Sequence, residues 1–176
     1  MIARPSSGAF TLIEMLVVVA VIALIAGLIV PMIQKAGARA HQATCAGNMR
    51  QVWMSLREYI ALNSFRLPHC TRRPSQPPAG EEGMPGLSET LKPYIGNPKV
   101  MKCPADSGSY FGPDGLSYEW NSLLNGKAIG QENLEIAGLA LEVPLMADYE
   151  AFHIGASEPG KNFLYADGSV VSQFKQ

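Results

Sequence analysis

Positive charge in excess is what this chain most plainly lacks: 14 Lys and Arg stand against 15 Asp and Glu, for a formal net charge of -1. Nonspecific phosphate binding needs a clustered surplus of Lys and Arg, so no nucleic-acid partner is expected, and Arg72 and Arg73, set among prolines, read as a solvated loop. Cysteine is also scarce. Cys45, Cys70 and Cys103 are odd in number and far apart, which fits neither a dense disulfide scaffold nor a CxxC metal knuckle. No GxSxG elbow accompanies His153, Asp167 and the serines, so a hydrolase triad has no motif behind it. His69, Cys70, Cys103 and His153 would close a tetrahedral zinc site only if the fold gathered them, so the expectation is no metal and no enzyme.

The most informative absence is local. Residues Met15 to Ile33 carry no charge, and at 1.5 Å per residue such a run reaches about 28 Å, close to the hydrocarbon thickness of a bilayer. No small-residue cleavage site follows it, as would follow a discarded secretory signal; Pro31 leads into Met32, Ile33, Gln34 and Lys35. The segment is therefore read as a retained span. The leader Met1 to Ala9 holds Arg4 and no acid, which favours a cytoplasmic N-terminus, although Lys35 and Arg39 beyond the span weaken that bias. Glu14 stands almost at the start of this apolar run. An acid there needs a partner or a place at the headgroup level, where it would cap the positive end of a helix.

Beyond the span, Cys45, Met49, Val52, Leu56 and Tyr59 or Ile60 recur at three- and four-residue steps and define one helical face, continuing to about Leu62. Pro31 should kink this long helix, since it has no amide donor and crowds the preceding turn. Thr71 to Gly86 reads as an exposed loop, and Leu87 to Ile95 as a short helix opened by Ser88 and broken by Asn97-Pro98. Gly138 to Ala147, Asn162 to Ala166 and Ser169 to Phe174 read as strands, with Asp167-Gly168 as a two-residue hairpin turn. The expected fold is α+β: a long N-terminal transmembrane and amphipathic helix packed on a small antiparallel sheet.

Gly8, Ala9, Phe10, Thr11, Leu12, Ile13 and Glu14, followed by Met15 to Pro31, resemble the N-terminal signature of type IV prepilins and type II secretion pseudopilins. The resemblance implies cleavage by a prepilin peptidase between Ala9 and Phe10, with Ala9 in place of the usual glycine, and methylation of the new amine. It offers Glu14 a partner, the Phe10 amine of a neighbouring subunit. It implies a single-pass protein of the bacterial inner membrane whose partners are the peptidase, other pilin-like subunits and the assembly machinery. The organisation expected is a leader over 1–9, a span over 10–33, an amphipathic continuation over 34–62 and an extracytoplasmic globular part over 63–176. The rival is a membrane-anchored binding module that never polymerises.

Lys102, Cys103, Pro104, Ala105 and Asp106, then Ser117, Tyr118 and Asn121, and His153 with Gly160 and Asn162 to Gly168, resemble the C-terminal half of bacterial prepilin-like proteins ending in a histidine-to-Asp-Gly motif. Some secretion pseudopilins hold calcium in a C-terminal loop, and Asp106, Asp114, Asp148 and Asp167 are the acids to consider. They lack a DxDxDG-like run, so turn formation is the expected role. In an oxidising compartment one disulfide and one spare thiol is expected. Spacing does not choose the pair; Cys70 with Cys103 is the working pairing, because both flank loop-like stretches while Cys45 falls on the helical stripe.

Overall fold

The computed structural model describes residues 11–129, 135–136, 139–140, 143–156 and 159–174. Helix α1 runs from Leu12 to Leu62 and carries Pro31 within it. The chain divides into two compact units, Met1–Ala36 and Gly37–Gln176.

In the first unit every large apolar side chain from Leu12 to Ile33 is exposed, Leu12 at 82% and Ile29 still at 46%. A helix that is apolar all round has its complement in lipid or in other helices. These residues make α1 long and apolar enough to cross a membrane.

In the second unit α1 behaves differently. Cys45, Met49, Val52, Leu56 and Ile60 are buried, while Arg50, Gln51, Arg57 and Glu58 stay in solvent. The three- and four-residue spacing places these five side chains on one stripe, and that stripe forms one wall of the core.

The other wall is a four-stranded antiparallel sheet in the order β1-β4-β5-β6, built from β1 (Tyr118–Trp120), β4 (Met146–Asp148), β5 (Phe163–Leu164) and β6 (Val170–Val171). Tyr118 faces Asp148, Met146 faces Leu164, and Leu164 faces Val170. Alternation sends Tyr118, Trp120, Met146, Asp148 and Leu164 inward. A separate two-stranded ladder pairs β2 (Glu135–Ile136) with β3 (Leu139–Ala140). The single strand expected over 138–147 is thus two strands in two sheets, β3 and β4, and β1 is an addition to the expected set.

Short elements close the fold. Helix α2 spans Leu87–Thr90, with Gly86 rather than Ser88 at its N-cap; the Ser88 hydroxyl instead donates to the Asp114 carbonyl at 3.2 Å. A 3-10 turn over Pro98–Met101 is capped by Asn97, whose side chain accepts from Lys99 N. Helix α3 (Phe111–Asp114) ends at Gly115 in the left-handed region. The loop from Thr71 to Gly86 has pinned ends: Thr71 is buried, its N–H donates to Pro85 O at 3.0 Å, and it bridges Gly86.

The hairpin at Asp167-Gly168 joins β5 to β6 by a different turn from the one expected. Only Gly168 takes positive φ, at 81°. The turn closes through Gly168 N to Tyr165 O at 2.9 Å and Tyr165 N to Ser169 O at 3.0 Å, a three-residue loop with the glycine in the bulge position rather than a two-residue turn.

Candidate functional site

Two places carry chemistry. The first is the beginning of α1. Thr11 N and Thr11 Oγ1 both donate to Glu14 Oε2 at 2.8 Å, and Glu14 N donates back to Thr11 Oγ1 at 3.3 Å. This is a reciprocal capping box, in which a Thr and the Glu three residues on satisfy amides that the first helical turn leaves without carbonyl partners. The threonine-x-x-glutamate spacing over 11–14 could have announced it. Ala9 and Phe10 lie outside the described residues. Pro31 sits inside α1 and supplies no N–H to the carbonyl of Gly27 one turn back.

The second place lies in the Gly37–Gln176 unit. Four segments each bring one donor to a common point: α1 brings Cys45, the stretch after the Pro98–Met101 turn brings Cys103, the end of β4 brings Asp148, and the turn after it brings His153. One ligand atom from each lies within 4.8 Å of all the others. Exposure is 0% for Cys45, Cys103 and Asp148 and 1% for His153. Cys45 Sγ lies 3.0 Å from Asp148 Oδ1, Cys103 Sγ 3.5 Å from His153 Nε2, and His153 Nε2 3.4 Å from Asp148 Oδ2. Asn162 N donates to Asp148 Oδ2 at 2.7 Å.

The groups perturb one another strongly. The Cys45 side chain, followed by His153, holds the Cys103 thiol down to about 6 against the opposing effect of burial. Burial pushes the His153 imidazole down, but hydrogen bonds to Asp148 and Cys103 outweigh it and lift it to about 9. Cys45 is driven up by Cys103, by burial and by the Asp148 charge. Paired charge of this kind inside a core is tolerated only when each group has a close partner.

The cluster redistributes the expected site residues. Cys70 and Cys103 are not brought together. All three cysteines are free and buried, and Cys70 Sγ sits 3.3 Å from Thr90 Oγ1. Burial pushes the Cys70 thiol up to about 11, with Thr90 opposing. The set His69, Cys70, Cys103 and His153 is likewise split, since His69 is exposed and packs over Gly126. The carboxylate beside His153 is Asp148, not Asp167.

The four acids considered for calcium are dispersed: Asp148 ends β4 in the cluster above, Asp114 ends α3, and Asp106 and Asp167 lie in separate turns. Asp106 accepts from Gly108 N, Phe111 N and Ser117 Oγ; Asp114 accepts from Ser75 N; Asp167 accepts from Ser169 N. Cys45 and Asp148 are the members that sequence reasoning missed. The helical stripe marks Cys45 as a core residue, and Asp148 ends an apolar run five residues before His153, but no local spacing links them to Cys103.

No curated protein and no solved structure matches the chain. Residues 4–30 match the family model described as the prokaryotic N-terminal methylation motif. That motif is typical of type IV prepilin-like proteins, which are generally non-enzymatic structural proteins, and it implies processing by prepilin peptidase. What the match shows is that residues 4–30 carry the methylation motif, and the exposed apolar first part of α1 and the α+β fold that follows are of the pilin-like kind.

Proposed function

We propose that this chain is a non-enzymatic structural subunit, a pseudopilin or minor pilin. In this reading it is cut between Ala9 and Phe10, methylated on the new amine and assembled side by side with related spans into a helical filament. The observation that carries the reading is the first part of α1, which is apolar on every side from Met15 to Ile33 with Glu14 the one charge between Leu12 and Ile33. A simple anchor needs only the apolar run. An assembling span also benefits from a charge that its own helix cannot neutralise, and among the described residues the Glu14 carboxylate accepts from Thr11. Heterologous contacts that repeat without closing a ring give a filament.

The N-terminus is cytoplasmic and the Gly37–Gln176 unit extracytoplasmic in this scheme. Pro31 leaves a carbonyl free within the span and so gives the helix a place to bend during transfer from bilayer to filament.

The test separates cap from charge. Glutamine also serves at the third helical position of a capping box, so Glu14→Gln keeps the Thr11 contacts and removes only the charge, whereas Glu14→Val removes both. Both are expressed with the cognate assembly machinery, and mature N-termini are read by mass spectrometry alongside membrane fraction and sheared filament yield. The expected result is a mature chain starting at Phe10, normal insertion of both variants and filament loss in both. Normal filaments from Glu14→Gln would remove the charge-pairing mechanism. An intact Met1 and no crosslinks between parent spans would instead leave the membrane-anchored binding module.

A further inference from the structure

We infer that Cys45, Cys103, Asp148 and His153 form a closed structural zinc site that fastens α1 to the sheet. The inference does not depend on filament assembly.

The geometry is that of ligands around a point. Zinc bonds of about 2.3 Å to sulfur and about 2.0 Å to nitrogen or oxygen set the edges of a tetrahedron at about 3.6 Å between sulfur and nitrogen and about 3.3 Å between nitrogen and oxygen. The observed edges are 3.5 Å from Cys103 Sγ to His153 Nε2 and 3.4 Å from His153 Nε2 to Asp148 Oδ2; Cys45 Sγ and Asp148 Oδ1 stand closer, at 3.0 Å, and would move apart toward about 3.5 Å as the ion enters. Four donors from four chain segments, all at 0% or 1% exposure, leave no face open to solvent. Closed four-ligand sites of this kind are structural rather than catalytic.

A catalytic relay through the same residues is ruled out by where the partners lie on the imidazole. In a Cys-His-Asp relay the nucleophile and the acid occupy opposite ring nitrogens. Here Cys103 and Asp148 both lie against Nε2, while the buried Nδ1 has no hydrogen-bond partner among the described residues. One proton on Nε2 cannot serve both neighbours well; one cation in front of Nε2 serves all four donors.

The surroundings fit a thiolate-rich ion. Two thiolates, one carboxylate and a neutral imidazole around Zn²⁺ sum to one negative charge, and Asn162 N already donates to Asp148. Tyr118, the register partner of Asp148, has a fully buried hydroxyl that meets no hydrogen-bond partner at good geometry among the described residues, and Cys45 is close enough to hold its phenol up, second to burial. A metal-bound sulfur retains charge and can accept from that hydroxyl, as outer groups commonly do around metal ligands. Two sulfurs with one imidazole favour zinc over hard cations such as calcium and magnesium.

The test uses the full-length chain, purified in detergent from membranes with thiols protected. Elemental analysis should find one zinc per chain in the parent and in Cys70→Ser, and a loss of at least tenfold in Cys103→Ser and in His153→Ala. Because those two variants can fail to fold, the parent is also stripped with a chelator and titrated with Co²⁺. Thiolate-to-cobalt charge-transfer bands and strong tetrahedral d–d bands should saturate at one equivalent, and Zn²⁺ should abolish them. Chelation should lower the thermal midpoint and zinc should restore it. Two results would overturn the site: no binding of either ion by the reduced, folded parent, or recovery of a Cys45–Cys103 disulfide in peptide maps of chain taken from its native compartment.

Discussion

Gly168 is placed so that an added methyl group fails for two separable reasons, and the two can be measured apart. Its φ of 81° lies in the left-handed region, and a Cβ built on it would stand 2.4 Å from Trp53 Nε1 and 2.6 Å from Trp53 Cδ1. The backbone term for an L-residue there is about 1–2 kcal/mol. Displacing a packed indole adds about 1–3 kcal/mol of overpacking. Gly168→Ala should therefore cost about 2–5 kcal/mol in the parent. In a Trp53→Ala background the collision is absent and only the backbone term remains, so the same substitution should cost about 1–2 kcal/mol, with the difference appearing as the coupling energy of a double-mutant cycle. Urea titrations of the four full-length proteins in detergent would supply the numbers. In the Trp53→Ala pair the fluorescence comes from Trp120 alone, the other of the two tryptophans and 1% exposed. Equal cost in both backgrounds would refute the contact between hairpin and helix. No cost in either would refute the left-handed backbone itself.

Asn125 accepts from Trp120 Nε1 at 2.8 Å and Cys70 N at 3.2 Å and donates to Cys70 O at 2.9 Å. Asn125→Ala strands a buried indole N–H, so the midpoint of thermal unfolding should drop by the equivalent of about 1–3 kcal/mol. Leu56→Ala opens the centre of the core stripe, where Leu56 is 1% exposed, and should cost about 2–5 kcal/mol while leaving membrane insertion, measured by carbonate extraction, unchanged. Burial raises the Asp106 carboxyl, but Ser117 Oγ and the amides of Phe111 and Gly108 outweigh it and hold it below the ordinary carboxylate range. A depressed folded value contributes stability above the unfolded value of about 4 and loses it as pH falls through the folded one. Asp106→Asn should therefore be less stable at neutral pH, with a shallower fall in midpoint between about pH 4 and pH 2.

The parts of this fold that could be read from the chain are those whose information is local. The stripe from Cys45 to Ile60 is legible because helical period and burial coincide over four turns. The span is legible because its lack of charge is continuous. The sheet is harder, since its strands are two or three residues long, too short for alternation to be distinguished from turn. Tyr118–Trp120 is illegible as a strand for that reason, although it carries two of the largest buried side chains. Asp167-Gly168 marks the hairpin correctly in position. It leaves the turn type to the register of β5 on β6, which demands positive φ at the glycine alone. The buried cluster is the extreme case: its members stand at 45, 103, 148 and 153, and only the packing of α1 on the sheet joins them.

The two chemical sites divide the labour of α1. At residue 14 the helix holds a carboxylate whose present partners are the amide and hydroxyl of Thr11. Those contacts neutralise no charge, and glutamine could make them as well. Thirty-one residues further along the same helix, Cys45 enters a core point where sulfur, imidazole and carboxylate already meet. The first site holds a carboxylate that carries its charge beside a neutral threonine; the second is buried within the Gly37–Gln176 unit. In the filament reading proposed above, a subunit pulled by its N-terminal span would pass that force along α1. The stripe from Cys45 to Ile60 carries the load by apolar packing, which is broad but weakly directional, whereas ligation of Cys45 would anchor the start of the stripe at a fixed point. If zinc has this role, removing it should leave insertion and cleavage intact and make the globular part, not the span, the first region to yield.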